Sequence, residues 1–211
     1  MSQPNYESPH FKAFTLLQAH FSRMKLVSDL ATDQKLVLSK IMNLLSACVD
    51  ILSSDGHLNA MSAMEMSQMC VQAMWDRDSP LLQIPHFTPI VVTTAEEAGI
   101  SDVFEFMDKM DPENPGREAL LQRLRLNQQQ LAQVAHFTNS YYPSVDMEHE
   151  VLDPDSVIAG SPAYVQVTLD RGLEDNEEPD LRVHAPFYPG QKMENCELLL
   201  PFLLPLFPCY M

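Results

Sequence analysis

Cysteine is scarce in this 211-residue chain, and the four that occur, Cys48, Cys70, Cys196 and Cys209, are widely scattered. No CxxC pair exists, which excludes zinc-ribbon and thioredoxin-type motifs. The scatter reads as a reduced, intracellular protein rather than a disulfide framework. Basic residues are scarce as well: 13 Lys and Arg stand against 29 Asp and Glu, a formal net charge of -16. Phosphate contacts need Lys and Arg, so such a chain is a poor autonomous nucleic-acid binder. It can still form one wall of a channel whose basic residues come from elsewhere, and the acidity keeps it soluble. The N-terminal MSQPNYESPHFKAF has no basic start before an apolar run, so no signal peptide is expected. The one long apolar run, 198–207, is broken by Pro201 and Pro205. It falls short of the roughly 20 residues that span a bilayer, so no membrane partner is expected.

Catalytic motifs are missing too. There is no GxxxxGK[ST] loop and no DExH-type box, and nucleotide-driven work needs both. There is no HExxH and no GxSxG, and neither Cys48 nor Cys70 has a local activating pattern. The seven histidines, His10, His20, His57, His86, His136, His149 and His184, show no ligand spacing. Glu148, Glu150, Asp153 and Asp155 are close in sequence but lack the glycine and spacing of a calcium loop, and read as a solvated strand and turn. No enzyme, metal or cofactor is expected from these residues.

What is present is helical periodicity. Residues 9–23 predict a helix opened by Pro9, with Phe14, Leu17 and Phe21 as its stripe, extended by Ala13 and Leu16. Residues 32–54 are the longest periodic segment, with Leu36, Val37, Ile41, Leu44, Leu45, Cys48, Val49 and Leu52 on the apolar side. Lys35, Lys40, Asn43, Ser46 and Asp50 line the other side, and Gly56 marks the C-terminal stop. Residues 58–75 predict a Met-rich helix (Met61, Met64, Met66, Met69, Met74) closed by Trp75. Such a stripe reads as adaptable core or as a peptide-binding face. Asp78-Ser79-Pro80 opens a short helix that Ile84-Pro85-His86-Phe87 breaks. Helices are expected at 88–98 and 101–110, a turn at 111–116, and a two-piece helix over 117–140 with Leu120, Leu121, Leu124, Leu131, Val134, Ala135 and Phe137 inward.

The texture changes near residue 143. Val145, Met147, His149 and Val151 alternate with acidic residues, and 163–169 is a period-2 run. Turns are expected at 153–155 and 159–162, an acidic loop at 172–180 and a third strand at 181–186. Helices therefore precede a β-sandwich that looks unfinished, since about seven strands close such a fold. The last residues, CELLLPFLLPLFPCYM, show neither alternation nor turn chemistry.

The strings LLQAHFSR (16–23), SACVDILSSDG, QAMWDRDSPLLQIPHF and VAHFTNSYYPSVDMEHEV together resemble the Sec-63 domain that follows the motor in Ski-2-like RNA helicases. The resemblance covers roughly 9–192 and is strongest to the C-terminal cassette of spliceosomal U-5 snRNP members. It implies a mainly α chain with a C-terminal β portion. Residues 1–84 would be a helical bundle with a "ratchet" helix at 32–54, and 85–143 a helix-loop-helix unit. Residues 144–192 would be a truncated immunoglobulin-like (fibronectin type III-like) sandwich, and 193–211 an aberrant Leu/Pro/Phe tail. Translation of a pyrimidine-rich intron, or a frameshift, would produce such a tail. The ratchet helix of active relatives lies across a single strand, which nominates Lys35, Lys40, Asn43 and Ser46 as RNA-facing. Asn43 and Ser46 stand where larger basic or amide side chains are expected, and His57 where an aromatic is usual. The implied function is thus a non-catalytic accessory and protein-interaction module acting in pre-mRNA splicing in the nucleus. Its partners would be helicase motor domains in cis or trans and spliceosomal U-5 snRNP proteins, with weak RNA contact. Met61, Met64, Trp75 and Phe87 are the candidate partner-facing residues. Two alternatives stand beside it. One is a fragment of an active ATP-dependent helicase whose helix 32–54 guides RNA. The other, an endoplasmic-reticulum translocon component, calls for a J domain and membrane spans, and neither pattern is in the sequence.

Overall fold

The computed structural model describes residues 6–142, 145–158, 163–171, 182–190 and 192–193. The expected turn at 159–162, the acidic loop at 172–180 and the tail beyond 193 lie outside them. Among the described residues are seven α-helices and two small antiparallel sheets of two strands each. The chain is mainly helical with a minor β portion, and its helices bury two clusters.

The first cluster is built by α1 (Pro9–Phe21), α2 (Ser28–Ser54) and α3 (Ala60–Gln72). Leu17, Phe21, Leu38, Leu45 and Cys70 form its centre, with Met66, Met69 and Trp75 packed around them. Leu38, absent from the expected stripe, is the most buried residue of α2 at 1% exposure, and such burial is worth about 2 kcal/mol. Leu36 and Leu44, expected inward, are instead 62% and 61% exposed, and Phe14 on α1 is exposed too. The reason is coverage: α1 and α3 both pack on α2 but hide only one of its sides. α2 also begins at Ser28, four residues before the expected start. Over an 18-residue window its mean hydropathy is 1.6, so by length and composition it could cross a membrane. The sequence reading missed this because single polar residues interrupt the run. The helix stops as expected at Gly56 (φ 72°), where His57 N–H donates to the Leu52 carbonyl and Gly56 N–H to that of Ser53.

The second cluster runs from a 3-10 turn (Pro80–Gln83) through α4 (Pro89–Glu96), α5 (Val103–Met110), α6 (Arg117–Leu124) and α7 (Gln128–His136). Leu81, Ile84, Phe87, Val92, Ile100, Val103, Phe106, Leu124 and Phe137 are among its buried members. Ala135, expected inward, is exposed. Side-chain caps start these short helices: Thr88 on α4, Asp102 on α5, and a reciprocal Asn127–Gln130 capping box on α7. One π-helical turn (Phe137–Tyr141) ends the helical part.

Strand β1 (Val145–Leu152) pairs antiparallel with β2 (Tyr164–Arg171), so that Met147 faces Leu169 and Val151 faces Val165. The expected third strand shrinks to β3 (Arg182–Val183), paired with β4 (Lys192–Met193). Between them runs a strap, 184–190, that touches both helical clusters. His184 packs edge-on against Phe137 with ring centroids 4.9 Å apart, and the Tyr188 hydroxyl donates to the Leu38 carbonyl at 3.0 Å.

Arg23 ties these pieces together. It follows α1 with φ 49°, a left-handed conformation that disfavours a side chain. Its guanidinium compensates by donating to three carbonyls, Ala73 (Nε, 2.8 Å), Leu82 (Nη1, 3.0 Å) and Gln72 (Nη2, 3.2 Å). Two of these acceptors end α3, where the helix dipole favours a cation. The third lies in the 3-10 turn, and the Phe187 ring lies 4.5 Å from the guanidinium carbon. Beside it His20, buried, donates from Nε2 to the Cys70 carbonyl at 2.7 Å. Burial lowers the His20 pKa below the usual 6.5, with the Cys70 hydrogen bond opposing and the Arg23 charge adding to the fall.

Three outcomes are expected. Replacing Arg23 with Met should lower unfolding stability in urea by about 2–4 kcal/mol, because it leaves buried carbonyls without donors, and Arg23→Lys should recover only part of it. Arg125 ends α6 in a left-handed conformation (φ 52°) and is exposed, so Arg125→Gly should stabilise by about 1 kcal/mol. The His20 contribution should be complete above its ordinary pKa of 6.5 and decline as pH falls below it, through the depressed folded-state value. His20→Gln keeps a donor without titrating, and should flatten part of the stability loss that sets in as pH falls below 6.5.

Candidate functional site

Two surfaces concentrate the residues singled out in the sequence. The first is the outer side of α2. Lys35, Lys40, Asn43 and Ser46 are all exposed there. At about 100° per residue they fan over an arc of about 140° rather than forming one line. On the same count Leu36 falls within that arc, while Ile51 and Leu44 lie just beyond Lys40 at its edge, Ile51 being 62% exposed. Sequence periodicity missed this apolar strip because it assigned Leu36 and Leu44 to the core. Two cations among aliphatic groups can touch a phosphate backbone, but they lack the aromatic platforms on which bases stack. The same strip suits an apolar protein surface better. Met61, 61% exposed at the start of α3, extends the apolar character, while Met64 is half-buried.

The second surface is a groove of about 1250 Å³ where the two helical clusters and the strap meet. Its walls come from the end of α1, the segment 82–89, α7 and the strap. Phe21, Ile84, Phe87 and Phe137 make it apolar, and Arg23, Asp78 and several amides and imidazoles supply its polar atoms. The Gln72 side chain donates to that of Gln83 at 3.1 Å, and His86 pairs with Gln133. His86 adopts φ 67°, which turns the chain out of the 3-10 segment and into the core at Phe87. Burial lowers the pKa of the Arg23 guanidinium while the neighbouring Asp78 carboxylate raises it. Burial likewise lowers that of His184.

Of the expected partner-facing residues, Trp75 stands at the rim of the first cluster. Its ring packs edge-on against Phe21 at 5.1 Å, donates from Nε1 to Ser22 Oγ at 3.1 Å and carries the Arg77 guanidinium 4.9 Å from its centroid. Phe87 is only 4% exposed and packs edge-on against Phe106 at 5.2 Å, so its ring serves the second core while it also lines the groove. The sequence could not distinguish the two, since an aromatic after a Pro-His break fits either. Burial pushes the Cys70 thiol up to about 11, which keeps it protonated and unreactive. No group of His, Cys, Asp and Glu among the described residues has metal-binding geometry.

Comparison with known proteins places this arrangement. The model of the Sec63 Brl domain family matches residues 1–200, which reaches past residue 192 into the segment read as an aberrant tail. The chain is 46% identical over 201 residues to the pre-mRNA-splicing factor brr2 of Schizosaccharomyces pombe. It is 43% identical over 196 residues to the human U5 small nuclear ribonucleoprotein 200 kDa helicase. It is 40% identical over 198 residues to the DExH-box ATP-dependent RNA helicase DExH13 of Arabidopsis thaliana. These alignments cover 95%, 92% and 93% of this chain but about 9% of each relative. The expectation of a non-enzyme is therefore corrected. Relatives carrying this domain are named helicases, and the missing motor motifs describe only the stretch in hand. With a family match across nearly its whole length, the chain belongs to the Sec63 Brl domain family.

Proposed function

We propose that this chain is the Sec63 unit of a spliceosomal RNA helicase, working in the nucleus in pre-mRNA splicing as an accessory and protein-interaction module. Its first partner is the helicase motor, in cis or in trans, and its second a surface of the U-5 snRNP. The observation that carries the reading is the outer side of α2. α1 and α3 cover one side of α2 and leave Leu36, Leu44 and Ile51 in solvent, and exposed aliphatic groups of this kind suit a further protein layer packed on the helix. The β1–β2 hairpin has the same character. Val145, Met147, Val151, Val167 and Leu169 share one face by register and are exposed. The finer reading of residues 144–192 as part of an immunoglobulin-like sandwich gives that face a second sheet to pack on.

Guidance of single-stranded RNA by α2 is the second reading, favoured by the exposure of Lys35 and Lys40. One experiment separates the two. The chain is mixed with the recombinant motor region of the helicase from the same source, and association is measured beside binding of a uridine oligonucleotide. Leu44→Asp with Ile51→Asp should weaken motor association at least about tenfold, or about 1.4 kcal/mol. It should leave the melting temperature nearly unchanged, because both side chains are exposed. Salt-sensitive oligonucleotide binding that disappears in Lys35→Ala/Lys40→Ala, with motor association unaffected by the Asp pair, would replace the first reading with the second.

A further inference from the structure

We infer that the groove between the two helical clusters is a binding site for an uncharged protein segment containing proline and an aromatic residue. This deepens the reading of the chain as a protein-interaction module and rests on it.

Size comes first. At about 1250 Å³ the groove exceeds the roughly 300–1,000 Å³ of ordinary small-molecule pockets, and suits several residues of polypeptide. Charge comes second. Asp78 and Arg23 are the charged side chains along its walls, apart from imidazoles, and the Arg23 guanidinium is already committed to three carbonyls. A phosphate-bearing ligand would find no uncommitted Lys or Arg there. The polar lining is neutral instead: Gln72, Gln83, Gln129 and Gln133. A carboxamide offers two donors and an acceptor, the complement of a peptide backbone. The paired Gln72 and Gln83 keep capacity beyond their one mutual bond.

The third argument is the strap. The chain already seats one such segment along the groove edge. Ala185-Pro186-Phe187-Tyr188 forms a turn closed by Tyr188 N–H on the Ala185 carbonyl at 3.1 Å. Phe187 lies over the Arg23 guanidinium at 4.5 Å, and Tyr188 reaches the first helical cluster. Pro186 and Phe187 are themselves part of the groove wall. The open part continues this interface from Phe187 toward Phe137 and the exposed outer residues of α7, Gln129, Ala132 and Gln133. An incoming segment of like composition extends an aromatic and amide surface that the fold already uses.

The probe is the capped peptide acetyl-Ala-Pro-Phe-Tyr-Pro-Gly-amide, titrated into the full 211-residue chain. Binding is followed by NMR through the side-chain amides of Gln129 and Gln133. Saturable shifts that change little with salt are expected. Ala132→Phe, which fills the groove from an exposed helix position, should weaken binding at least about tenfold and leave the melting temperature within about 2 °C. Absence of saturable shifts would overturn the proposal. So would shifts matched by a uridine oligonucleotide, or displacement of the chain's own strap seen as loss of the Tyr188 contact to α2. Motor association does not use the groove. Loss of peptide binding with motor association intact therefore refutes the groove alone, and the reverse refutes the module reading.

Discussion

Much of this fold depends on where one guanidinium finds its acceptors. The carbonyls of Gln72 and Ala73 are left over where α3 ends, and that of Leu82 where the 3-10 turn ends. None has a helical partner in its own element, and together they lie where the first helical cluster gives way to the second. Arg23 answers all three from the end of α1. This fixes the direction in which the chain leaves α3, and therefore where Leu81, Ile84 and Phe87 enter the second core. A lysine has the charge but not the planar fork, and three acceptors around one group require the fork. Phe187 caps the exposed side of the cation, so the β portion is joined to the same point.

That arrangement explains why the helical part is legible in sequence while its ends are not. Periodicity located α1, α2, α4, α5 and the two pieces over 117–140, because each has an apolar side that meets a neighbour. The stops were harder. Gly56 was readable since only glycine is at ease there, but Arg23, Ala73 and Arg125 take the same left-handed conformation with a side chain attached. Ala73 does so fully buried. With no glycine to mark it, the Met-rich helix was read three residues too far, to Trp75 rather than Gln72. The cost of each such residue is about 1–2 kcal/mol, and for Arg23 the compensation lies in contacts 49 to 59 residues away. Local pattern has no access to them.

The surfaces divide along the same line. On α2 the type of each residue is visible, but the choice of which leucines face inward is not, since Leu36 lies within the polar side and Leu44 at its edge, while Leu38 and Leu45 meet the neighbouring helices. Only the number of covering helices decides it, and two cover one side. The groove was less legible still. Its walls come from the end of α1, the end of α3, α7 and the strap, and no motif spans them. The one clue is aromatic and proline content in HAPFYPG (184–190), of which only 184–186 falls within the expected third strand.

The exposed strip on α2 and the groove differ in what they demand of a partner. The strip is convex, aliphatic and interrupted by single polar residues, so it rewards a broad apolar layer and tolerates sliding along the helix axis. The groove is concave, with amides at fixed points, and rewards a segment whose backbone meets them in register. A unit holding both can be packed against a large neighbour through α2 while leaving the groove to a second chain, because the two surfaces share no lining residue. The strap touches both α2 and the groove. Tyr188 donates to the Leu38 carbonyl on the inner side of α2, while Phe187, the residue before it, forms part of the groove wall. The strap is thus held at both ends of this contact, by the Leu38 carbonyl behind Tyr188 and by the Arg23 guanidinium against Phe187.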